Sequence, residues 1–137
     1  MQNINPMRLS DEFLVEFVCD LRNSYDAAVS ECGKYAKYTR KHVLVQRALN
    51  KPAKCFYVSY DEASRIINKI NRVGMSGKKG MNAIKFQDLY RTYQHIMQDN
   101  EDIKIKQAIR LACDSPAPRF YISVDRAFKL LNKHICL

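Results

Sequence analysis

The sequence predicts an all-α fold, a small helical bundle built from two duplicated helix–extended turn–helix units. Three observations predict it. Apolar residues recur at three- and four-residue spacing along most of the chain. An eighteen-residue segment occurs twice, at an offset of 64 residues, and each copy combines a helix stop with a helix start. Extended character is confined to one Phe-Tyr-Val/Ile run per copy, where aromatic and β-branched side chains favour it.

The first element is a long helix from about Asp11 to Cys32. Ser10 can cap it, and Asp11 and Glu12 suit the positive end of its dipole. Leu14, Phe17, Val18, Leu21, Tyr25, Ala28, Val29 and Cys32 fall on one face, and Gly33 marks a break or bend. A second helix is expected over Lys34 to Asn50, with Tyr35, Tyr38, His42, Val45 and Leu49 on its inner stripe.

The matched segments come next. Residues 52–69 read PAKCFYVSYDEASRIINK and residues 116–133 read PAPRFYISVDRAFKLLNK, with nine of eighteen positions identical. Chance alone gives about one identity at average residue usage. In each copy a proline ends the preceding helix, because the residue before it is pushed out of the α region. Ser59 or Ser123 then stands where an N-cap belongs, and in the first copy Glu62 completes a Ser-x-x-Glu capping box. The following helix carries Ala63, Ile66, Ile67 and Ile70 in one copy, and Ala127, Leu130, Leu131 and His134 in the other. A two-stranded pairing of the Phe-Tyr-Val/Ile runs would join the copies about a local two-fold axis.

Between the copies, Gly74 to Gly80 holds three glycines in seven residues and reads as a flexible loop. A helix from about Ala83 to Gln98 follows, with Phe86, Leu89, Tyr90, Tyr93 and Met97 inward, and another runs from Asn100 to near Cys113. This organises the chain as an N-terminal unit 1–73, a Gly/Lys-rich loop 74–80 and a second unit 81–137, in one compact domain.

Charge narrows the functional classes. With 23 Lys and Arg against 14 Asp and Glu, the net charge of +9 points to an acidic partner, most simply nucleic acid or an anionic membrane. Both sides of Ile70 are basic, +3 before and +6 after. From Gly33 through Lys54 there is no acidic residue, while Lys34, Lys37, Arg40, Lys41, Arg47, Lys51 and Lys54 supply seven cations. On a regular helix Lys34, Lys37 and Lys41 share a face, a row suited to phosphate contacts of salt-sensitive affinity. Lys78 and Lys79 can add a flexible clamp. The competing readings are a merely solvated face and an acidic protein partner. A membrane surface fits less well, since the apolar side of this helix carries Tyr and His rather than a broad Leu, Phe or Trp face.

Val58, Ser59, Ala63, Arg65, Ile66 and Ile67 look like the start of a helix-turn-helix recognition helix. On that reading Tyr60, Asp61, Ser64 and Arg65 face DNA, as do Val124, Asp125, Phe128 and Lys129. Two features oppose it: Pro52 to Val58 exceeds the usual three- to four-residue turn, and Asp61 and Asp125 would repel phosphate while favouring a helix start. Phe56, Tyr57, Phe120 and Tyr121 read first as packing residues. Beside Lys54 and Arg119 they could instead stack on unpaired bases or form a dimer interface.

No P-loop, G-x-S-x-G, H-E-x-x-H or dinucleotide fingerprint is present, so no enzyme and no cofactor is expected. The five cysteines include no C-x-x-C pair, which argues against a zinc site and for reduced, mostly buried thiols in a cytoplasmic protein. The polar first ten residues lack the apolar stretch of a secretory signal, and no run of about eighteen apolar residues spans a membrane.

The P-A-x-x-F-Y-[VI]-S segment and its Ala-containing helix resemble stretches in small proteins of Bacteroidota and their phages or mobile elements, over residues 44–70 and 108–133. That group brings no established activity, so the resemblance carries over no residue roles. The resulting expectation is a nucleic-acid-binding accessory or regulatory protein, DNA being favoured over RNA. Its basic contacts are Lys34 to Lys54, Arg65, Lys78, Lys79, Arg119 and Lys129. A helical interaction or virion-assembly module with an acidic protein partner is the alternative.

Overall fold

A computed structural model describes residues 11–75, 77 and 79–133. Six α-helices make up most of it: α1 (Asp11–Cys32), α2 (Lys41–Leu49), α3 (Tyr60–Val73), α4 (Met81–Asp99), α5 (Ile105–Asp114) and α6 (Val124–Lys133). A 3₁₀ segment, Gly33–Tyr38, sits between α1 and α2. The fold is therefore all-α. Among the described residues extended pairing is limited to one isolated antiparallel bridge, Ala53 with Ala117.

The chain forms two compact units, one of Met1–Pro52 with Ile122–Leu137 and one of Ala53–Tyr121. Each unit draws on sequence from both sides of the 74–80 loop, unlike the simple division at that loop. In the first unit α1 packs on α2 and α6, and α2 packs on α6. Leu21, Ala28, Val45, Ala48 and Ala127 are almost fully removed from water there. Two side chains of α1 fasten its neighbours: Ser24 Oγ donates to the Ala48 carbonyl at 2.7 Å, and Arg22 Nη2 donates to the Leu131 carbonyl at 2.8 Å. Ser24 and Asp20 are buried in α1, and apolar periodicity alone gave no sign of either.

In the second unit α4 packs on α5 and α3, and α3 packs on α5. Ala63, Ile67, Leu89, Ala108, Ile109 and Ala112 are sealed from solvent. Asn71 on α3 ties itself to α4, accepting from Tyr90 Oη at 2.6 Å and donating to Tyr93 Oη at 3.3 Å. The Arg110 guanidinium of α5 lies 4.4 Å from the Tyr60 ring centroid at the start of α3.

The matched segments share their serine caps. Ser59 Oγ accepts from the Glu62 N–H at 3.1 Å, and Ser123 Oγ accepts from the Arg126 N–H at 3.2 Å. Each such cap is worth about 1 kcal/mol. The two alanines that follow the prolines exchange reciprocal bonds, Ala53 N–H to Ala117 O at 2.9 Å and Ala117 N–H to Ala53 O at 3.1 Å. The pairing thus falls three residues ahead of the Phe-Tyr-Val/Ile runs, where it was expected. The first of those runs is interrupted because Tyr57 takes a left-handed φ of +54°, a conformation that does not continue a strand.

The second predicted helix is corrected. Gly33 adopts φ +55°, the following turn is 3₁₀, and Arg40 is extended (φ −63°, ψ 141°) before α2 begins at Lys41. The buried stripe is Leu44, Val45, Ala48 and Leu49. Tyr35, Tyr38 and His42, placed inward by a continuous helix, are exposed. The break changes the phase: four apolar residues already fill the inner face of the short α2, and the tyrosines lie before it. The Ser10 cap and the inward His134 fall outside the described residues.

The helix before one matched segment packs with the helix after the other: α2 with α6, and α5 with α3. Cleaving the polypeptide at a protease site introduced within 74–80 should leave the two fragments co-eluting under native conditions with helical circular dichroism intact. Separation into two folded fragments would contradict this arrangement.

Candidate functional site

The segment Gly33–Lys41 carries the exposed cations Lys34, Lys37, Arg40 and Lys41 in nine residues. Its 3₁₀ part buries no residue, so core packing does not dictate its side chains. With three residues per turn, Lys34 eclipses Lys37 and Tyr35 eclipses Tyr38. Each lysine reaches back over its own neighbour: Lys34 Nζ lies 5.4 Å from the Tyr35 ring centroid, and Lys37 Nζ 5.1 Å from that of Tyr38. The turn is closed by Thr39, whose N–H donates to the Ala36 carbonyl at 3.1 Å and whose Oγ1 donates to the Tyr35 carbonyl at 2.9 Å. Lys41 extends the cationic row onto α6, its Nζ 5.9 Å from the Phe128 ring centroid.

The other sequence-predicted contacts divide. Arg47 donates to Cys32 Sγ at 3.2 Å, and Lys51 is ion-paired with Glu31. Both are therefore held by α1 rather than presented alone. Lys129 is exposed on α6 of the same unit. Lys54, Arg65, Lys79 and Arg119 are exposed but belong to the second unit, and Lys78 lies outside the described residues. The acid-free run is thus a compact row of four cations, two cations engaged with α1, and Lys54 in the other unit.

Phe56, Tyr57 and Phe120 are buried, so these three rings are packing groups and do not stack on bases. Phe56 stacks on Tyr121, ring centroids 6.1 Å apart, and Tyr121 Oη donates to Asp88 Oδ2 at 2.6 Å. Burial, then the Asp88 hydrogen bond and charge, holds the Tyr121 phenol strongly toward its protonated form. The helix after each matched serine packs within its own unit, α3 on α4 and α5, and α6 on α1 and α2.

A second titratable cluster lies in the second unit. Lys85 is half-buried, and its Nζ donates to the Tyr57 carbonyl at 3.5 Å, at the left-handed turn. Burial lowers its pKa, opposed by the charges of Glu62 and Cys55. Cys113 is pushed up to about 11 by burial, then by Asp114 and Cys55.

The cysteines differ from the expected set of reduced, mostly buried thiols. Cys32, Cys55 and Cys113 are half-buried thiols outside any disulfide, whereas Cys19 is disulfide-bonded. Among the described residues no group of three His, Cys, Asp or Glu side chains is placed to hold a metal ion. No described helix is long and apolar enough to cross a membrane. No family model, curated protein or solved structure matches the chain.

A thiol reacts through its thiolate. Cys113 should therefore resist iodoacetamide at pH 8 and gain reactivity only as pH approaches about 11. The raised value also means that its contribution to stability is present below pH 9.0 and lost as pH rises toward about 11. Mass-spectrometric alkylation profiles check this; labelling of Cys113 at pH 8 as fast as that of an unfolded peptide would contradict it.

Proposed function

We propose that this chain is a nucleic-acid-binding accessory or regulatory protein that works without catalysis, and that its contact surface centres on Lys34, Lys37, Arg40 and Lys41. The observation that carries the reading is this row of exposed cations in a stretch free of acidic residues from Gly33 to Lys54. Polyphosphate is the ligand such a row suits: it presents closely spaced negative charges, and each neutralised phosphate releases counterions. Lys129 is a further exposed cation of the same unit. A role within a phage or mobile element belongs to this reading and draws on the sequence resemblance, and a cytoplasmic location on the cysteine pattern of the sequence.

Fluorescence anisotropy with labelled oligonucleotides tests it. Four or five phosphate contacts imply an affinity that falls between 50 and 200 mM salt by roughly 50- to 130-fold for a single strand and roughly 150- to 500-fold for a duplex. Lys37→Glu combined with Lys41→Glu should weaken binding at least about tenfold and leave the helical circular dichroism unchanged. Binding indifferent to salt, or undiminished in this variant, would contradict the proposal. Capture of one saturable acidic protein that survives nuclease treatment would favour the interaction-module alternative.

A further inference from the structure

We propose that Tyr35 and Tyr38 form a stacking platform for an unpaired polynucleotide strand. The inference rests on the nucleic-acid reading above and specifies which form of nucleic acid the surface takes. Tyr35 and Tyr38 keep 64% and 77% of their surface in water. A single exposed aromatic needs no explanation. Here two occur three residues apart in a 3₁₀ turn, where i and i+3 eclipse and the rise is about 2 Å per residue. The rings therefore project from one edge, about 6 Å apart along the turn axis. Successive nucleotides of a stacked strand are about 3.4 Å apart, so the spacing suits one base entering between the rings.

The lysines complete the unit. Sequence positions 34–35 and 37–38 repeat a Lys–Tyr pair, and each ammonium lies close to its own tyrosine ring. A cation held against an aromatic ring is where the phosphate of a stacked nucleotide finds its counter-charge. Thr39 fixes the turn through its bonds to the Tyr35 and Ala36 carbonyls, so little order must be gained on binding. Arg40 and Lys41 continue the charge along the strand's path.

Unpaired strands are favoured because their base faces are accessible. In a duplex those faces are covered by neighbouring bases, and the grooves offer edges, read by a helix or ribbon that fits within them. A short exposed turn of tyrosines and lysines has no such reader but matches what a single strand offers. Single-stranded DNA and RNA share this chemistry, and the test separates them.

Anisotropy titrations of the full chain would use labelled dT12, U12 and a 12-base-pair duplex at several salt concentrations. Both single strands, or one of them, should bind at least about tenfold tighter than the duplex. Each stacked ring is expected to contribute about tenfold. The double substitution Tyr35→Leu with Tyr38→Leu should therefore reduce single-strand affinity about a hundredfold while leaving the salt dependence unchanged. Tyr35→Phe with Tyr38→Phe retains the rings and should bind like the parent, which separates stacking from hydroxyl hydrogen bonding. Neither pair touches a buried residue of the turn, and circular dichroism confirms the fold in every variant. Equal affinity for duplex and single strand, or a leucine variant that binds like the parent, overturns the stacking platform while the electrostatic reading stands. Absence of salt-sensitive binding to all three probes overturns both.

Discussion

Two alanines fix the arrangement on which the rest of the structure depends. Ala53 and Ala117 each follow a helix-ending proline, each is buried, and each gives its N–H to the other's carbonyl. A buried amide without a partner costs about as much as a lost hydrogen bond. With both groups satisfied, the chain can pass through the interior at this point without a sheet. What leaves the bridge on either strand is a serine-capped helix. The helices meeting in each unit come from opposite segments, and the bridge joins stretches far apart in sequence.

The surface row follows from the same economy. Helix α2 needs only Leu44, Val45, Ala48 and Leu49 to fill its side of the first unit. The stretch from Gly33 to Arg40 is left with no residue to bury in its 3₁₀ turn. Gly33, at φ +55°, provides the change of direction that a residue with a Cβ rarely adopts. Tyrosines and lysines placed there contribute little to the core, which leaves them available for a partner. The cations nearer α1 are spent differently, Arg47 on Cys32 and Lys51 on Glu31.

Much of the architecture was legible in the sequence because its causes are local. The long helix, the serine caps, the proline stops and the glycine loop each follow from residue chemistry within a few positions. The α1 stripe was readable in the same way: Phe17, Val18, Leu21 and Ala28 are buried as its periodicity requires. The misses have non-local or phase-dependent causes. The α2 period does not continue back through Tyr35 because the turn from Gly33 to Tyr38 is 3₁₀ and Arg40 is extended. Placing the pairing at the Phe-Tyr-Val/Ile runs overlooked the left-handed turn at Tyr57, whose carbonyl accepts from Lys85, 28 residues away. Nor does any spacing rule reveal which helices become partners across the copies, or that Tyr60 meets Arg110. For the candidate site, the acid-free run located the charge, but only the 3₁₀ turn brings out the exposed tyrosines beside it.

The reciprocal Ala53–Ala117 bridge, with both alanines buried, should open only when the fold as a whole opens. Native-state hydrogen exchange measures this directly, residue by residue. The Ala53 and Ala117 amides should be among the slowest in the chain, exchange at similar rates, and share the denaturant dependence of global unfolding. Rapid exchange of either amide, or exchange insensitive to denaturant while the helix cores remain protected, would contradict it.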